Sequence, residues 1–122
     1  MCIRDRSRTA VIAEEAATQL AQKGISAEVI DLRTLSPLDE GSVLESLAKT
    51  GRLVVVDESN PYCSMASEIA GLAVERGFDT IDAPVKRVTS PHTPVPATPC
   101  LEANYVPSVG RVMAAVEETL SY

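Results

Sequence analysis

Three groupings in this 122-residue chain hold side chains that could do chemistry together. Cys63 stands ahead of a predicted helix, where the amino-terminal dipole would favour a thiolate, and the base for such a nucleophile would have to be His92, the only histidine. With no second base and no cysteine-hydrolase signature, a plain thiol is the expectation, and His92 reads as a loop residue making a local hydrogen bond or a contact between subunits. Asp57 and Glu58 close an apolar run, and alternation along a strand sends them to opposite faces. At most one of them meets a common site, and a structural role is expected of the pair, such as accepting from loop amides or pairing with Arg87. Glu14 and Glu15 diverge by about 100° around a helix and read as a solvated face. Gly71 and Gly77 are wrongly spaced for a phosphate loop, so no catalytic, cofactor-binding or metal-binding residue is assigned.

The elements that must position these groups centre on Gly51-Arg-Leu-Val-Val-Val-Asp-Glu58. Four consecutive apolar residues between a glycine and a carboxylate pair predict a parallel strand covered by helices on both faces. In open α/β sheets, ligands and partners meet the carboxyl ends of the strands, which directs attention to Asp57, Glu58 and the loop 59–64. Upstream, Val11, Ile12, Ala16, Ala17, Leu20 and Ala21 recur at helical spacing over residues 8–23, and Gly24 can end that helix. Residues 27–32 read as a strand, and Ser36-Pro-Leu-Asp39 opens a helix over about 39–49. Downstream, a helix is predicted from about Ser64 to Arg76, a connector over 78–83 and a short strand over 84–88. Ser90 to Pro99 holds four prolines in ten residues and predicts a stiff, extended segment. One helical turn follows at 101–105. Pro107-Ser108 then opens a last helix that buries Val109, Val112, Met113, Val116 and Leu120. The chain thus begins with a helix where an α/β domain ordinarily begins with a strand.

Composition narrows the function classes. The length suits one domain, and 45% hydrophobic with 23% charged residues is ordinary for a globular chain. A net charge of −6 disfavours nucleic acid and anionic membranes as partners. No apolar run reaches the roughly 18 residues that would span a bilayer, and Met1 to Arg6 lacks a signal-peptide core, so a cytoplasmic location is expected. Cys2, Cys63 and Cys100 are too few and too scattered for a disulfide framework or a zinc site.

Five motifs in order carry a family resemblance: Val29-Ile-Asp-Leu-Arg-Thr-Leu-Ser-Pro-Leu-Asp39, Thr50-Gly-Arg-Leu-Val-Val-Val-Asp-Glu58, Ala66-Ser-Glu-Ile69, Asp82-Ala-Pro-Val-Lys-Arg-Val88, and Thr93-Pro-Val-Pro96 with Leu101-Glu102. Together they resemble the C-terminal domain of the beta subunit of the thiamine-diphosphate-dependent component of 2-oxo-acid dehydrogenase complexes. The wording of Asn60 to Ser64 and of Pro91 to Pro96 is most similar to the acetoin dehydrogenase branch. The resemblance implies a transketolase-like C-terminal domain, α/β and doubly wound, with a mostly parallel sheet and helices on both faces. It also implies a scaffold role in an alpha2-beta2 heterotetramer, with a second beta subunit and the alpha subunit as neighbours. Thiamine diphosphate and magnesium would be held in the full enzyme by the preceding beta domain and the alpha subunit, so this domain alone would neither bind them nor catalyse. Asp82, in Asp-Ala-Pro, and the terminal carboxylate at Tyr122 fall where the family captures the subunit-binding domain of the lipoyl acyltransferase.

The family has a strand where Met1 to Arg6 stands, and the hexapeptide does not resemble it. Residues 1–6 are therefore expected to be a leader foreign to the domain, with residues 7–122 forming a domain that lacks its first strand beside Leu53–Val56. A stand-alone flavodoxin-like binding module is the rival reading, and a transketolase or deoxyxylulose-phosphate synthase C-terminal domain is the third.

Overall fold

The computed structural model describes residues 8–122, so the expectation for Met1 to Arg6 lies outside the described residues. The fold is built on β1 (Val54–Asp57), all four of whose residues are buried. Its apolar run serves two separate cores. Val54 and Val56 join α1 (Arg8–Gln22) and α5 (Val109–Leu120) through Ala13, Ala16, Leu20, Val112 and Val116. Leu53 and Val55 face the other way, onto Val43 and Leu47 of α2 (Glu40–Thr50) and Ala66, Ile69 and Ala73 of α3 (Met65–Gly77). A strand apolar on both faces is stable only with helices on both, and the outcome is the expected α/β layering.

β2 (Lys86–Thr89) pairs with β1 in parallel, Val54 opposite Lys86 through Asp57 opposite Thr89. It starts two residues later than expected because Pro84 has no N–H to give a ladder. The expected strand over 27–32 is corrected: that segment is extended but belongs to no ladder among the described residues. Its side chains still alternate as a strand's would. Ile25, Ala27 and Val29 pack on the α1/α5 side, while Ile30 and the buried Leu32 pack on the α2/α3 side. A cleft of about 390 Å³ is lined by residues 25–28, Val54 and the end of α5.

Local signals explain the helix limits. Asp39 caps α2 by accepting from the Ser42 N–H at 3.1 Å and the Ser42 hydroxyl at 2.6 Å, and these two bonds hold its carboxyl below the usual aspartate range. Gly51 ends α2 at φ 68°, its N–H returning to the Leu47 carbonyl at 2.7 Å. Gly77 lets α3 approach α2, since a Cβ there would stand 2.8 Å from Leu47 Cδ2. α4 (Pro99–Tyr105) starts two residues earlier than the single turn expected, with Pro99 in its first turn. In α5, Thr119 rather than Leu120 takes the last buried position, and Leu120 is exposed.

Candidate functional site

The two strands run in parallel, so their ends define two poles of the domain, about 13 Å apart over four residues. The residues singled out from sequence divide between them.

At the carboxyl pole, Asp57 is buried, with Oδ1 accepting from the Ser59 N–H at 3.1 Å and Oδ2 from the Ala66 N–H, at the start of α3, at 3.3 Å. This is the structural role expected of it, one carboxylate joining the loop to a helix amino terminus. The pairing with Arg87 is not made. Arg87 instead donates to the Pro61 carbonyl and the Ser67 hydroxyl, both at 2.8 Å, because it lies on the exposed side of β2, away from buried Asp57.

His92 does make a local bond. Asn60 Oδ1 accepts the Tyr62 N–H at 3.0 Å, which turns the Asn60 amide nitrogen toward His92 Nδ1 at 2.5 Å. An amide nitrogen only donates, so Nδ1 must present its lone pair and the ring proton sits on Nε2. Tyr62 packs against the imidazole edge to face, with centroids 4.8 Å apart. Ser90 closes the same junction by donating its hydroxyl to the Glu58 carbonyl at 2.7 Å. Cys63 is exposed at φ 49° and has no hydrogen bond to His92. The sequence grouping of thiol and imidazole is thus not a catalytic pair. Glu14 and Glu15 are exposed on α1 as expected.

At the amino pole, Asp82 lies against Gly51. Its N–H donates to the Gly51 carbonyl at 2.7 Å, and its side chain covers the Gly51 Cα so closely that a Cβ there would stand 2.1 Å from Oδ2. The next residue, Arg52, donates from Nε to the Thr119 carbonyl at 3.0 Å, and Tyr122 follows three residues later. Asp82 and the carboxyl end of α5 therefore share one pole, bridged by Gly51 and Arg52. Asp82 and Tyr122 are both exposed.

Sequence reasoning missed an apolar groove beside Asp82, lined by Val74, Phe78, Ile81, Pro84 and Val85 with Asp79 at its edge. The signal was present: Ala70, Val74 and Phe78 recur every fourth residue, on a stripe separate from the buried Ala66, Ile69 and Ala73.

The chemistry of both poles is hydrogen bonding and apolar contact. Among the described residues no group of three or more His, Cys, Asp or Glu side chains could hold a metal ion, and no helix is long and apolar enough to cross a membrane.

Known proteins agree with this architecture. Residues 6–112 match the family described as Transketolase, C-terminal domain. The beta subunit of acetoin:2,6-dichlorophenolindophenol oxidoreductase from Bacillus subtilis (strain 168) is 53% identical over 106 residues, covering 87% of this chain and 31% of that protein. The pyruvate dehydrogenase E1 component subunit beta of Leifsonia xyli subsp. xyli (strain CTCB07) is 42% identical over 111 residues, 91% of this chain and 33% of that one. Among solved structures, a split gene transketolase in an inactive beta4 tetramer superposes with a TM-score of 0.81 at 28% identity, over 98% of this chain and 38% of that chain. The chain thus spans about a third of the length of these curated relatives. On its sequence match and its α/β layering alike, it belongs to the transketolase C-terminal domain family.

Proposed function

We propose that this chain is the carboxyl-terminal assembly domain of a 2-oxo-acid or acetoin dehydrogenase beta subunit. In this reading the whole enzyme, with its alpha subunit and a second beta subunit, is a cytoplasmic alpha2-beta2 assembly. It carries out thiamine-diphosphate-dependent oxidative decarboxylation or cleavage and passes the acyl group to a lipoyl carrier. The relatives named above as acetoin oxidoreductase and pyruvate dehydrogenase beta subunits support it. No group of three or more acidic, histidine or cysteine side chains that could hold magnesium is found among the described residues. Cofactor binding is assigned to the remainder of the enzyme, and the carboxyl pole, with exposed His92, Tyr62 and Val95, to a subunit contact.

The observation that supports the docking role is the placing of Asp82 on Gly51 while the neighbouring Arg52 holds the Thr119 carbonyl at the end of α5, both at the amino pole. The exposed Asp82 carboxylate, with the carboxylate at Tyr122 as its proposed second acceptor, would receive a basic module, here the subunit-binding domain of the lipoyl acyltransferase. In the assembled enzyme, Asp82→Asn should weaken that module's binding, by roughly 2 to 5 kcal/mol if the pair is desolvated. Glu14→Gln should leave binding unchanged. Deleting Ser121 and Tyr122 should also weaken it by moving the terminal carboxylate. Surface plasmon resonance at low and physiological salt decides the matter: wild-type rates for both the Asp82 variant and the deletion would mean that docking uses another surface.

A further inference from the structure

We propose that the apolar groove beside Asp82 is the seat for a single aliphatic or aromatic side chain carried on a basic partner segment, forming the apolar half of a surface whose charged half is Asp82. The inference rests on the docking role proposed above for Asp82. The groove measures about 620 Å³. Its wall includes Phe78, the only phenylalanine of the chain, which is 71% exposed, and Val74, which is 52% exposed. α3 needs neither for its own packing, since its buried residues are Ala66, Ile69, Ala73 and Gly77. A large aromatic side chain left in water beside a groove forgoes the stabilisation that its burial would contribute, which suits a contact completed by another molecule.

Charge selects the occupant. Asp79 lines the groove and Asp82 sits between its residues Ile81 and Pro84, both carboxylates being exposed, while no lysine or arginine lines it. The nearest cations along the chain are engaged elsewhere, Arg76 with Glu40 and Lys86 with Glu118. An apolar seat with the Asp79 carboxylate in its wall and exposed Asp82 three positions further along the chain attracts a basic segment and repels an acidic one. A second copy of this chain, at a net charge of −6, would set Asp79 and Asp82 against their own counterparts across a two-fold contact. A basic partner anchored by one apolar side chain suits the rim, and central apolar anchors within a polar surround dominate many interfaces.

The test measures the acyltransferase subunit-binding domain on the assembled enzyme carrying Phe78→Ala, Val74→Ser, Phe78→Leu or Asp82→Asn. Phe78→Ala should weaken binding at least tenfold, mainly through faster dissociation, with little change between low and high salt. Val74→Ser should weaken it less, and Phe78→Leu should restore much of the loss. Because both side chains are exposed, circular dichroism should show the fold intact. If Asp82→Asn weakens binding while the Phe78 and Val74 variants match wild type, the groove inference fails and the docking role stands. If no variant changes binding, both fail. If Phe78→Ala leaves binding unchanged but lowers the oligomer size in sedimentation, the groove is a contact between copies and the inference is overturned.

Discussion

Residue-level chemistry here is mostly hydrogen-bond geometry, and two residues give it measurable consequences. The bond between Asn60 and His92 requires a bare Nδ1, which fixes the neutral ring as the Nε2–H tautomer. The Asn60 amide cannot simply turn over, because its oxygen is committed to the Tyr62 N–H. Nitrogen-15 NMR of labelled histidine should therefore show the Nε2–H tautomer when the ring is neutral. The Asn60 side-chain amide signal should shift in His92→Ala; an invariant amide signal would show that the bond does not form. Asp39 supplies the second case. Its carboxyl is lowered by two bonds from Ser42, so its capping contribution is full above the ordinary aspartate range and is lost as pH falls through the lowered folded value. Urea midpoints of the parent and Asp39→Asn should differ at neutral pH and converge in acid.

At the scale of elements, Gly51 links α2, β1 and the loop before β2. Its left-handed φ and the Asp82 side chain over its Cα are independent obstacles to a Cβ. Gly51→Ala should cost more than about 1 kcal/mol in a denaturant titration, and Asp82→Gly in the same chain should recover only the steric part, leaving the φ penalty. The glycine before the strand was legible as a helix stop, yet nothing local announced that Asp82, 31 positions later, would lie on it. The same limit separates the two predicted strands. Residues 53–57 were legible because an unbroken apolar run must be buried on both faces, and that requirement is local. Residues 27–32 show correct alternation onto two cores and still form no ladder among the described residues, because pairing depends on a neighbour's edge that periodicity does not encode. The thiol and imidazole looked like partners only while Cys63 and His92 were points on a line. Folding assigns the imidazole to Asn60, whose role a lone polar loop residue did not advertise.

At the scale of the whole molecule, the proposed function gives the two poles different work and expects a diphosphate site at neither. Such a site needs a divalent cation held by several oxygen ligands, or a run of backbone N–H groups closing on the phosphate oxygens. Three helix amino termini among the described residues are already answered by the chain's own side chains: Asp57 accepts the Ala66 N–H, Asp39 the Ser42 N–H, and Ser108 the Arg111 N–H. Two of those three acceptors are carboxylates, which would repel a diphosphate, as would the net charge of −6. The 122-residue chain alone should therefore give no heat of binding with thiamine diphosphate and magnesium in calorimetry, and no decarboxylation of pyruvate or cleavage of acetoin. A micromolar dissociation constant, equivalent to about 8 kcal/mol, would require a cradle that these residues do not form and would overturn the assignment of this domain to assembly and docking.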